Sequence, residues 1–163
     1  MRTRLLRHLF AMPARRRFPA AAMDAIQAAI AAGEARHGGE VCFALEARLT
    51  LAELIAQRTP RQRAEQAFAH LRVWDTAQRT GVLLYLLLAD HAIEIVADRE
   101  VARHVPAVAW EAVCAAMRER FAADDWVGGA QAGIAATHDL LAAHLPPRAA
   151  GAADELPDRP VVL

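Results

Sequence analysis

The sequence predicts an α/β fold, a three-layer α/β/α sandwich with a small mixed sheet and helices on both faces, and three stretches carry that prediction. The first is the apolar run Val82 to Ala89, too short to cross a bilayer and the right length for a strand buried on both faces. The second, Ala92 to Ala97, is rich in β-branched residues and is set off from the first by Asp90 and His91 alone. A two-residue turn and an antiparallel hairpin follow from that spacing. The third, Glu40 to Ala47, alternates Val41, Phe43 and Leu45 against Cys42, Ala44 and Glu46. Two helix signals separate it from the hairpin, so its pairing with the first hairpin strand is expected to be parallel, through a helical crossover.

In chain order, residues 1–17 hold six arginines and read as a basic arm, a short docking helix followed by an arginine cluster. Arg7, His8 and Pro13 interrupt its apolar residues, so it does not resemble a secretory signal. A helix is expected from Ala20 to Arg36, opened by Phe18-Pro19, closed by Gly38-Gly39 and striped by Met23, Ile26, Ile30 and Gly33. Glu34 and His37 at its end have metal-ligand spacing, but a solvated glutamate and a dipole-complementing histidine are the simpler reading there. Thr50 with Glu53, and Thr59 with Gln62, match the capping box and start two further helices. The hairpin register that follows from a two-residue turn sets Leu88 against Ile93, Leu86 against Ile95, Leu84 against Ala97 and Leu83 against Asp98. Trp74, just before it, is expected in the core. Helices are then expected near Ala107 to Phe121 and Val127 to Leu145, the second capped from Asp124-Asp125 and ended by Pro146-Pro147. Residues 18–147 thus form one domain, and 148–163 an extended tail whose apolar end, Val161 to Leu163, is suited to a sheet edge or groove.

Charge narrows the partners. The formal net charge is zero, but beyond the arm thirteen basic residues face nineteen acidic ones, and an acidic body argues against nucleic acid. Cys42 and Cys114 fit no metal spacing and read as buried thiols of a cytoplasmic protein. No segment has the length of a membrane span, while the arginine arm is suited to peripheral contact with an anionic membrane. The chain contains no serine, which removes a serine nucleophile, and its paired glycines match neither phosphate-loop nor dinucleotide patterns. What remains is a set of acids at the strand ends. Asp75 and Asp98 fall at one edge with Thr76, Glu46 and Asp90 at the other, and Glu94 lies within the strand pattern. Converging carboxylates of this kind hold a hard cation such as Ca²⁺ or Mg²⁺, so Asp75, Asp98 and Asp90 are the metal-ligand candidates. Arg79 and Arg99 are placed to neutralise charge developing beside them.

The run LRVWDTAQRTGVLLYLLLADHAIEIVADRE, the helix with Trp110 and Cys114, and the closing helix ending LLAAHLPP resemble the TPM domain, with the tail ELPDRPVVL similar to a short bacterial subgroup. The resemblance covers about Ala20 to Pro147 and implies an α/β/α sandwich. It also implies two kinds of activity, since some members are described as acid phosphatases or binders of divalent cations and others as accessory factors of membrane complexes. The first expectation is therefore a soluble accessory or binding module acting on a protein or membrane-associated partner. The alternative is a divalent-metal-dependent, acid phosphatase-like hydrolase.

Overall fold

A computed structural model describes residues 2–163, the side chain of Arg2 aside. The elements are α1 (Arg2–Leu9), α2 (Ala14–Arg17), α3 (Ala20–Glu34), β1 (Glu40–Glu46), α4 (Leu51–Ile55), α5 (Pro60–His70), β2 (Gly81–Leu87), β3 (Ala92–Ala97), α6 (Arg99–His104), α7 (Ala107–Ala122), α8 (Trp126–His144) and β4 (Val161–Val162). Four strands form one open sheet in the order β3-β2-β1-β4. β1 runs parallel to β2 and to β4, and β2 runs antiparallel to β3.

Every residue of β1 and β2 is buried, because helices cover both faces. Val41, Phe43, Leu45, Val82, Leu84 and Leu86 pack with Ile26 and Ile30 of α3, Met117 of α7 and Ile134 of α8. The opposite face, Cys42, Ala44, Leu83 and Tyr85, meets Ala64 and Ala67 of α5, where small residues on both sides allow close approach. Local signals start the helices as the sequence implies. Both capping boxes form: Thr50 Oγ1 accepts from Glu53 N at 3.3 Å, and Thr59 Oγ1 from Gln62 N at 3.1 Å, with each N3 side chain bonding back. Asp125 caps α8 by accepting from Gly128 N at 3.0 Å. The tail docks on the β1 edge, Val161 beside Ala44 and Leu163 N donating to Leu45 O at 2.9 Å.

The hairpin differs from expectation in its turn. β2 ends at Leu87, a 3₁₀ turn spans Leu88–Asp90, and His91 takes the left-handed conformation at φ 51°. The longer connection moves the register by two, so Leu86 faces Ile93, Leu84 faces Ile95 and Val82 faces Ala97. A shift of two preserves the alternation, and each side chain keeps its expected face. Asp98 falls just past the end of β3, opposite Gly81 rather than Leu83, and its side chain caps α6, a helix with no clear sequence signal of its own. Trp74 is half exposed, with Arg72 over its ring, rather than in the core.

β2 can begin only with glycine. A Cβ on Gly81 would lie 1.9 Å from the carbonyl oxygen of Val73, a backbone atom that cannot yield locally. Gly81→Ala is therefore expected to destabilise the fold by roughly 2–3 kcal/mol, the upper part of the overpacking range, seen as a melting temperature several degrees lower. An unchanged melting temperature would show that the loop before β2 gives way easily.

Candidate functional site

The acids and arginines expected at the strand ends are all accounted for. Asp75 is exposed and ion-paired with Arg72. Asp98 Oδ1 accepts from Arg99 N at 2.7 Å, and its own N–H donates to Gly81 O at 2.8 Å. Glu100 N donates to Arg79 O, so the end of β3 does lie beside the loop that carries Thr76 and Arg79. Thr76 Oγ1 accepts from Thr80 N, while the Arg79 and Arg99 side chains reach into solvent. Glu94 is half-buried, 4.0 Å from Arg61, and burial raises its carboxyl above the ordinary range despite that arginine. Glu46 is buried, held by Arg63 at 2.8 and 3.1 Å and by the Tyr85 hydroxyl. Asp75, Asp90 and Asp98 form no common group among the described residues.

Asp90 has the densest set of partners. Arg4 reaches it with Nε at 2.9 Å and a terminal nitrogen at 2.7 Å, His8 Nε2 lies 3.1 Å away, and Arg7 3.6 Å. Burial pushes the Asp90 carboxyl up, but the bonds from Arg4 and His8 outweigh it and hold it below the usual carboxylate range. His8 Nδ1 also accepts from Leu49 N at 3.0 Å, just beyond the end of β1. α1 thus covers the carboxyl ends of the parallel strands, where open α/β sheets usually take a ligand.

At the other end of β1 lies an acidic group that sequence reasoning did not single out. One oxygen each from Glu34, Asp154 and Asp158 lie within 4.8 Å of one another. Glu34 ends α3 and, far from being solvated, is 2% exposed. The Gly38-Gly39 turn brings the chain back so that Val41 N donates to Glu34 Oε1 at 2.6 Å. Glu40 Oε2 accepts from Glu155 N and Leu156 N of the tail, and Leu156 plugs the α5 side of the core. Arg148 is the cation among them, 3.1 Å from Glu40, 3.5 Å from Glu34 and 3.9 Å from Asp154. One guanidinium does not offset so much buried acid. Burial pushes Glu34 up to about 8 against its bond from Val41, pushes Glu40 to about 7 against Arg148, and raises Asp158 beside Asp154. Three carboxylate oxygens at this spacing, Glu34 buried and Asp154 exposed, fit the all-oxygen donor set of a hard cation, which would displace the proton Glu34 otherwise keeps.

Next to this group the His37 and His138 rings stack at 5.0 Å and bond, Nε2 to Nδ1, at 2.8 Å. Gly39 N donates to His37 Nδ1, so neutral His37 carries its proton on Nε2 and gives it to His138 Nδ1. His138 then holds its own proton on Nε2, a buried atom with no partner. Burial, with Arg36 acting on His37 and His37 on His138, lowers both to about 4. His37 therefore fills its i, i+3 spacing from Glu34 by turning to α8 instead of sharing a ligand.

A four-stranded mixed sheet between helical layers defines the protein as an α/β/α sandwich. The TPM domain matches residues 17–140, and the chain belongs to that family. Its fold is similar to the solution structure of BA42, a protein from the psychrophilic bacterium Bizionia argentinensis, with a TM-score of 0.75 and 25% identity over 89% of this chain and 94% of that one. No curated protein sequence matches the chain.

The acidic group and the histidine pair impose opposite pH dependences. Between about pH 4.5 and 8 the unfolded chain releases a Glu34 proton that the folded chain keeps, so stability falls as pH rises. Below about 6.5 the unfolded chain binds histidine protons that the folded chain refuses down to about 4, so stability falls as pH drops. Glu34→Gln keeps the acceptor for Val41 N and removes the titration. Urea melts are expected to show it gaining stability over the parent at about pH 8 and little at about pH 5; parallel curves would remove Glu34 as the source of the slope.

Proposed function

We propose that this TPM-domain protein is an accessory binding module that docks at an anionic membrane surface or on a complex seated there. The observation that carries the reading is the outer face built by α1 and α4. Leu5 and Leu9 of α1 line a groove with Leu51 and Leu54 of α4. Phe10 is 78% exposed, Ile55 71% and Leu51 62%, with Leu6, Leu9 and Met12 also open to solvent. Arg48 lines the groove itself, while Arg7 of α1 and Arg15 and Arg16 of α2 lie in the same N-terminal segment; Arg15, Arg16 and Arg48 have no carboxylate partner among the described residues. Apolar side chains mixed with unpaired arginines are the composition of an interfacial surface. Each arginine near an anionic bilayer contributes roughly 1 kcal/mol, and each buried methylene about 0.8 kcal/mol.

Two further points support it. The end of the sheet where a substrate crevice is usual is filled by α1, anchored through Arg4 and His8. Among the described residues no helix is long and apolar enough to cross a membrane, so contact through this face would be peripheral. The experiment is cosedimentation with phosphatidylglycerol-containing vesicles and with vesicles of phosphatidylcholine alone. Binding is expected to the anionic vesicles, to weaken with salt, and to drop at least tenfold in Arg15→Glu/Arg16→Glu and in Phe10→Asp. Equal binding to both vesicle types, or none, would sink direct docking on the membrane surface.

The alternative, a divalent-metal-dependent acid phosphatase-like hydrolase, draws on the oxygens of Glu34, Asp154 and Asp158. A cation held there would supply Lewis-acid chemistry, polarising a phosphoryl oxygen or activating a water. Calorimetric titration with Ca²⁺, Mg²⁺ and Mn²⁺ is the check. Binding by the parent that Asp158→Asn loses favours a metal role, and the absence of binding by the parent leaves the docking reading alone.

A further inference from the structure

We propose that the free edge of β3 is a strand-addition site for an extended peptide of alternating apolar and small polar residues. β3 ends the sheet, with β2 as its one strand neighbour. Asp98 N donates to Gly81 O, which with the register Val82 to Ala97 makes Gly81 and Asp98 a hydrogen-bonded pair. In an antiparallel ladder such pairs alternate, so Ala92, Glu94 and Val96 also bond toward β2. The N–H and C=O groups of Ile93, Ile95 and Ala97 therefore face outward. Ile95 O confirms the direction, because Arg61 of α5 reaches over the edge to donate to it at 2.6 Å. Among the described residues no other hydrogen bond satisfies these outward groups.

The edge forms the floor of a cavity of about 480 Å³, within the size range of ligand pockets. Arg61 lines it from one helical layer, and Val105, Trp110 and Cys114 line it from the other. The two layers thus project beyond β3 as walls. A second folded sheet with its own covering helices would collide with them, whereas one extended chain fits between. That chain would bond to Ile93, Ile95 and Ala97 over about five residues, since alternate residues lie roughly 6.8 Å apart along a strand. Its residues opposite these three would turn their side chains toward Ile93, Ile95, Trp110 and Cys114, because Ile93 and Ile95 themselves point to the α7 side, with Glu111 and Arg118 of α7 at the rim of that wall. The intervening residues would face Arg61 and Glu94, which together call for neutral polar groups. Arg61 occupies the central acceptor until a main-chain N–H replaces it, an arrangement that also shields the edge from indiscriminate pairing.

The test uses the full chain, ¹⁵N-labelled, titrated with acetyl-Val-Thr-Val-Thr-Val-amide and with the same peptide N-methylated at its central valine. The unmodified peptide is expected to shift the amides of Ile93, Ile95 and Ala97 and slow their hydrogen exchange at least tenfold at saturation. The N-methylated peptide, which lacks one main-chain donor, is expected to bind at least tenfold more weakly. Equal binding of the two peptides, shifts centred elsewhere, or no shift at millimolar peptide would overturn the proposal. So would a concentration-dependent dimer that already protects these three amides, since a second copy would then hold the edge.

Discussion

The constraint on which the rest of this structure depends is that β1 and β2 are buried on both faces and leave charged groups no place except the strand ends. A carboxylate brought into that setting must find a cation or keep its proton. Three buried or nearly buried acids do find one, and each binds a different part of the chain to the sheet. Glu40 at the start of β1 takes Arg148 and the tail amides, Glu46 at its end takes Arg63 of α5, and Asp90 beyond β2 takes Arg4 of α1. Every one of these cations is an arginine in a chain without lysine, and the forked guanidinium holds Glu46 and Asp90 through two nitrogens. These charged latches add to the apolar and main-chain contacts that hold α5 and the tail, whereas the sheet and the long helices are held by apolar packing.

How far the sequence discloses this arrangement depends on how local each signal is. The strands, both capping boxes and the Asp125 cap lie in short patterns, and the structure has them where those patterns place them. Docking of Val161 at a sheet edge was legible from its apolar end after a proline-bearing stretch. The hairpin turn was not, because Leu88 and Ala89 continue the apolar run while already in the 3₁₀ turn. The error cost a register but no face, since the strand period is two. The acid group lay further out of reach. Glu34 looks like a helix-end surface residue until Asp154 and Asp158 return from the far end of the chain, and no periodicity encodes that return. A signal was present in the crowding of acids around Arg148 in an otherwise apolar tail, which a solvated segment has no need of.

The two ends of the parallel pair divide the chemistry of the molecule. Beyond the carboxyl ends, α1 closes the crevice and turns arginines and apolar side chains outward. Beyond the amino ends, Glu34 and two neutral histidines are buried, and their proton affinities are displaced in opposite directions. TPM-domain membership is compatible with work at either end. The first end exposes apolar and basic side chains, and the second sets Glu34 and the histidine pair apart from solvent.

The placement of β4 bears on the order in which the chain matures. The strand that fills the second edge of the central β1 is synthesised long after β1, and Leu156 and Arg148 arrive with it. A nascent chain emerging from the ribosome can pack α3, β1 and β2 early, but it must hold Glu34 and Glu40 without their guanidinium and one face of the core without its plug. Until translation passes the tail, the polypeptide carries an uncovered sheet edge beside an uncompensated acidic recess, the period in which it most needs shelter from neighbouring chains.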